Sequence, residues 1–170
     1  VGGHPMAGRE KSGLTAAAKD LFRDKWYILI SSEPDNPAPA GEIIRTLLSK
    51  TGARITFMAL EDHDRSAAEI SHIPHIAAAS LVNLLPDGEE QETELKLAGG
   101  GFKDTTRIAS SDPDMWADIC LTNGPEICRD IERLQGLLGN VIAAIDRGDR
   151  EAIYQFFKTA KNKRDKIISG

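Results

Sequence analysis

Three short stretches concentrate the side chains that can move protons or grip anions. The first, GGHPMAGREKSG (residues 2–13), places His4 between a glycine pair and Pro5, with Glu10 and Ser12 close behind. Glycines let backbone approach a ligand, proline stiffens the loop presenting the ring, and an imidazole there can act as a base near neutral pH. The second, SHIPH (residues 71–75), sets His72 and His75 three apart on a helix. A metal site would need a third ligand and outer-shell partners, and none is in view. The pair reads either as hydrogen-bonded core histidines or, beside a proline kink, as the wall of a ligand pocket. The third, GGGFKDTTRIASSDPDMW (residues 99–116), holds Asp104 and Arg107 three apart. On a helix they face the same way and can pair. An arginine held like this either forks onto a substrate carboxylate or forms an ordinary surface ion pair.

The elements that must position these groups fall into two kinds. WYILIS is a short apolar run bounded by charge and by a Pro-rich stretch, as a buried strand would be. A helix comes next, with Ile43, Ile44, Leu47 and Leu48 on one face and Gly52 as its stop, and RITFMA is a second strand. Strand, helix, strand builds a parallel sheet by a right-handed crossover, but so few strands cannot bury it. This part therefore reads as the tail of a larger nucleotide-binding-type domain, over residues 1–61.

From residue 62 to 170 the pattern is helical. Ile70, Ile73, Ala77, Leu81 and Leu84 make a stripe from about Asp64 to Leu85, kinked beside His75 because Pro74 has no N–H. SDPDMW is a helix start, with Ser111 or Asp112 as cap and Pro113 at the first position. That helix should stop at Asn123–Gly124. In the next, Ile127, Ile131, Leu134, Leu138, Val141 and Ile145 alternate at spacings of four and three, a coiled-coil-like seam. Gly148 ends it and Asp149 caps a last helix carrying Ile153, Phe157 and Ala160. Self-association is the natural use of so long a seam.

With 170 residues, an apolar fraction of 41% and a charged fraction of 28%, the chain has the composition of a folded domain with a sizeable core. No apolar run approaches the ~18 residues that span a bilayer, and no secretory signal is visible. A net charge of −5 argues against nucleic acid as a partner. The basic cluster Lys158, Lys161, Lys163, Arg164 and Lys166 suits a solvated helix end. Cys120 and Cys128 lack metal spacing and read as free thiols of a reducing cytoplasm.

In order along the chain, GGHPMAGxExSG, then HD and SHxPH, then GGFxDxTRIAxSDPxMWxDI resemble the prephenate dehydrogenase family, of which arogenate dehydrogenases are close relatives. The resemblance runs from Val1 to about Asn123, and the later helices agree in length and pattern. It implies a mainly α chain, in which a helical dimerisation domain like the C-terminal domain of 6-phosphogluconate dehydrogenase follows a short α/β remnant of a Rossmann domain. The GxGxxG turn of that domain is absent from this sequence, so a longer enzyme is expected, with NAD or NADP as cofactor.

By the same resemblance His4 takes the hydroxyl proton of prephenate as hydride leaves, and Arg107 binds a substrate carboxylate. His75, with Ser12 also at the substrate, faces the substrate or the feedback inhibitor tyrosine. Glu10, Asp64, Asp104 and Trp116 fall in a polar network that closes the pocket, partly across a homodimer. Asp64 and His75 lie about three turns apart, ~16 Å at 1.5 Å per residue, which favours a cross-subunit role for Asp64. Oxidation of arogenate, or tyrosine binding by a non-catalytic dimerisation module, are the alternatives.

Overall fold

The computed structural model of the chain describes residues 1–8, 13, 17–88 and 95–169. It divides into two compact units, Val1–Ile127 and Cys128–Gly170. The chain is mainly α, with one small mixed sheet at its N-terminal end.

In the first unit, β1 (Gly3–Pro5), β2 (Trp26–Ile30) and β3 (Arg54–Met58) lie in that order. The two apolar runs pair in parallel, Trp26 opposite Arg54 through Ile30 opposite Met58. The crossover between them is α1 (Pro39–Ser49), and Gly52 sits beyond its end at φ +81°, a conformation open to glycine. Leu29, at 1% exposure, is the centre of the sheet's core.

The His-Pro segment, expected as a loop, is an edge strand. β1 runs antiparallel to β2 with His4 opposite Ile28, and it is locked at both ends by Ile30 N–H to Gly2 O and Met6 N–H to Trp26 O. An unpaired edge of β2 offers those backbone groups, and pairing satisfies them. Gly3 is the residue that lets the strands approach: a Cβ there would lie 2.9 Å from the Tyr27 ring.

The proline kink takes a specific form. α2 (Leu60–Ala67) passes into a π turn (Ala68–His72) and then into α3 (Ile73–Asn83). Ile73 N–H bonds Ala68 O, five residues back. Pro74 has no N–H, and its ring would press on the carbonyl four residues earlier, so widening the turn ahead of it relieves both problems. One residue is thereby inserted into the helical register. α3 packs on α4 (Gly100–Thr106) and on the 3-10 turn Arg107–Ser110. α5 (Pro113–Thr122) is capped by Asp112, whose carboxylate accepts from the N–H groups of Asp114 and Met115.

Asn123 closes α5 and α6 begins at once (Gly124–Asp146), as the sequence indicates. The second unit holds most of α6 and all of α7 (Arg150–Ser169). Gly148 turns at φ +62° between them, and Asp149 accepts from Ala152 N–H. Arg129 and Arg133 hydrogen-bond the buried Asp130 carboxylate; burial alone would raise its pKa, but these bonds hold it below the usual carboxylate range. Among the described residues no helix is long and apolar enough to cross a membrane.

Candidate functional site

β1 and α2 flank β2, and this brings His4 against His63. His4 Nδ1 lies 2.8 Å from His63 Nε2, the rings edge to face with centroids 5.1 Å apart. His63 Nδ1 in turn lies 2.8 Å from Asp64 Oδ1. A second chain of contacts runs through Asn123 at the end of α5. Its side-chain amide donates to the Asp64 carbonyl at 2.8 Å and lies 3.3 Å from His72 Nδ1, which can only accept from it. His75 makes the opposite commitment: its Nδ1–H donates to the Ser71 carbonyl at 2.9 Å, leaving Nε2 as the outward nitrogen. The His75 ring stacks on Trp116 at 4.1 Å, and His72 meets the same indole edge-on at 6.0 Å.

These rings line a cavity of about 870 Å³, with His4, Met6, His72, His75, Met115 and Trp116 on its walls and Ile70, Ile108 and Ile119 below them. A smaller cavity of about 270 Å³ shares His75 and Trp116, and is otherwise mostly apolar, reaching Ile76, Ala79 and Cys120. Burial lowers the pKa of His4, and the neighbouring His63 lowers it further. His72 is lowered by burial and then by His4, His75 and His63, against a smaller opposing effect of Asp64. Both rings are therefore neutral at pH 7. The cavity wall thus offers imidazole lone pairs and N–H groups more than fixed positive charge.

The pocket gathers four of the residues singled out in the sequence: His4, His72, His75 and Trp116. Asp64 stands behind it as the partner of His63. Asp104 on α4 and Arg107 at the start of the 3-10 turn are exposed, and the cavity wall is formed without them. Glu10 and Ser12 lie outside the described residues. Two polar residues of the site were not picked out by sequence reasoning, His63 and Asn123. The EDHD run carried a signal for His63, a ring beside an acid; Asn123 read only as a helix stop. Among the described residues no group of three or more His, Cys, Asp or Glu is placed to hold a metal ion.

A small mixed sheet carries the half-buried His4 against helices that wall the larger cavity. Residues 1–57 match the family model for the prephenate dehydrogenase nucleotide-binding domain and residues 59–159 that for its dimerization domain. The chain belongs to the prephenate dehydrogenase family. It is 42% identical to the prephenate dehydrogenase of Bacillus subtilis over 97% of its own length and 44% of that protein's. Among solved structures, prephenate dehydrogenase from Aquifex aeolicus in complex with hydroxyphenyl propionate and NAD+ superposes with a TM-score of 0.87 at 34% identity, covering 97% of this chain and 58% of that one. Arogenate dehydrogenase from Synechocystis gives a TM-score of 0.82 at 26% identity, over 97% and 60%. The chain thus spans about half the length of the relatives it matches.

Proposed function

We propose that this chain forms the substrate half of a cytoplasmic prephenate dehydrogenase, which oxidatively decarboxylates prephenate to 4-hydroxyphenylpyruvate with NAD(P) on the way to tyrosine. The observation that carries the reading is His4: a neutral imidazole on the wall of a cavity with room for a substrate ring, in a chain of this family. The neutral ring accepts the proton of the ring carbinol as hydride leaves that carbon, and loss of CO2 makes the ring aromatic. The cavity is larger than one such substrate needs, and Met6, Ala7 and Gly8 beside His4 leave room for a flat ring. When bound, NAD(P) would supply the hydride acceptor, with Met6, Ala7 and Gly8 beside its nicotinamide ring. Trp116 and the stacked His75 give the substrate ring an aromatic wall. Arg107 takes a substrate carboxylate and Ser12 also contacts the substrate, with Glu10, Asp64, Asp104 and Trp116 in the polar network that closes the pocket, partly across a homodimer.

His75 also supports a second reading. With Nδ1–H committed to Ser71, a lone pair at Nε2 would suit the ammonium of arogenate or of inhibitory tyrosine. The test measures kcat/KM for prephenate and arogenate, each with NAD and with NADP, in the enzyme carrying its complete nucleotide-binding domain. Preference for prephenate supports the first reading and preference for arogenate the second. Tyrosine binding with no turnover of either would leave a non-catalytic module.

A further inference from the structure

We propose that His63 and Asp64 are positioning residues that fix the tautomer of His4. The proposal rests on reading His4 as the base. A carboxylate only accepts, so the proton of the 2.8 Å contact between His63 and Asp64 sits on His63 Nδ1. With its proton at Nδ1, His63 turns the Nε2 lone pair toward His4 Nδ1 across another 2.8 Å. Two lone pairs cannot share that contact, so His4 carries its proton at Nδ1. Its own lone pair is left at Nε2, the one nitrogen free for a substrate hydroxyl.

The same line works during the reaction. When the hydroxyl O–H breaks and its proton binds His4 Nε2, the new imidazolium keeps Nδ1–H pointed at the His63 lone pair. The arrangement is assembled from long-range contacts: β1 supplies His4, α2 supplies His63 and Asp64, and Asn123 from the end of α5 ties down the Asp64 carbonyl. The half-buried His63 side chain, 15% exposed, keeps water from replacing the bond.

The experiment uses the enzyme with its complete nucleotide-binding domain. His63→Leu removes the acceptor and should lower kcat by about 10- to 100-fold with KM changed less than about threefold. His63→Gln keeps an acceptor oxygen where Nε2 was and should recover most of that loss. An unchanged kcat in His63→Leu, or a Gln variant as impaired as Leu with an unaltered melting temperature, would overturn the proposal. Nitrogen-15 spectra of histidine-labelled enzyme at a pH where the rings are neutral give a readout independent of turnover. His4 should show a protonated Nδ1 and a bare Nε2, and a tautomer mixture in His63→Gln or His63→Leu should follow the kcat loss. Protonation at Nε2 in the wild-type enzyme would refute the idea even if no substrate were turned over. A wild type with the expected tautomer but no turnover would instead defeat the functional reading.

Discussion

At the scale of single residues, burial in the cluster holds His4 and His72 below the ordinary imidazole pKa. The first consequence is a pH dependence of stability. His4 and His72 have folded-state pKa values below the ordinary imidazole value of about 6.5. Between those values and 6.5 the unfolded chain binds more protons than the folded one, so stability falls with falling pH. It is fully present above about pH 6.5 and lost as pH drops through the folded values. Melting temperatures recorded from pH 7.5 to 5 should decline, and His72→Gln should flatten the decline; a flat wild-type profile would contradict the lowered values. The second consequence concerns chemistry. His4→Asn keeps a hydrogen-bonding group but no base, and turnover should fall by ~100-fold or more with a smaller change in KM. Arg107→Ala should act chiefly on KM, since losing a charge-assisted partner costs roughly 2–5 kcal/mol. An unchanged KM would return Arg107 to the surface ion-pair reading. Residue type and spacing drew out His4, His72 and His75 in the sequence, and the family resemblance added Trp116. His63 and Asn123 were not legible, because each acts through a contact 59 residues away, and periodicity carries no record of such pairs.

At the scale of elements, the sequence is most legible where one residue dictates a local event. Asp112 caps, Pro113 starts, Asn123 stops and Gly148 turns, each by backbone chemistry confined to a few residues. It is less legible where the outcome depends on a neighbour. The His-Pro segment is a strand because β2 presents an open edge, and only tertiary structure supplies that edge. Pro74 marks a kink in the sequence, but its form as a π turn one turn earlier depends on how α2 and α3 must pack. The turn sets how His72 and His75 are rotated relative to His63 and Asp64 on α2, since each inserted residue rotates the downstream helix by about 100°. Pro74→Ala restores the N–H and removes the reason for the wide turn. Its expected result is an equal or higher melting temperature with kcat/KM reduced several-fold, as His72 rotates away from Asn123. A variant with unimpaired kcat/KM would show that the π turn does not serve the site.

At the scale of the whole molecule, the apolar surface left open is the main fact still requiring an occupant. On α1, Ile44 and Leu48 are half-buried while Ile43 and Leu47 of the same expected stripe stay exposed. Three strands are too few to cover the helix, as a chain spanning about half of its relatives would leave it. The α6 seam behaves differently. Ile127 is buried and Ile131, Leu134 and Val141 are half-buried, but Leu138 and Ile145 are 52% and 60% exposed, as Leu137 and Ile142 also are. Tyr154 and Phe157 on α7 extend the apolar surface of the second unit. Residues 59–159 match a dimerization domain, so the occupant to expect is a second copy of the chain. Burying one leucine or isoleucine is worth roughly 1.5–3 kcal/mol, and a twofold interface counts every substitution twice. Leu138→Asp with Ile142→Asp should therefore remove at least about 6 kcal/mol of association free energy, a factor above ~10⁴ in the dissociation constant. Sedimentation at micromolar concentration should show a dimer for the parent chain and a monomer for the variant. Circular dichroism would confirm that α6 and α7 remain helical, and a monomeric parent chain would rule out the seam as the dimer contact.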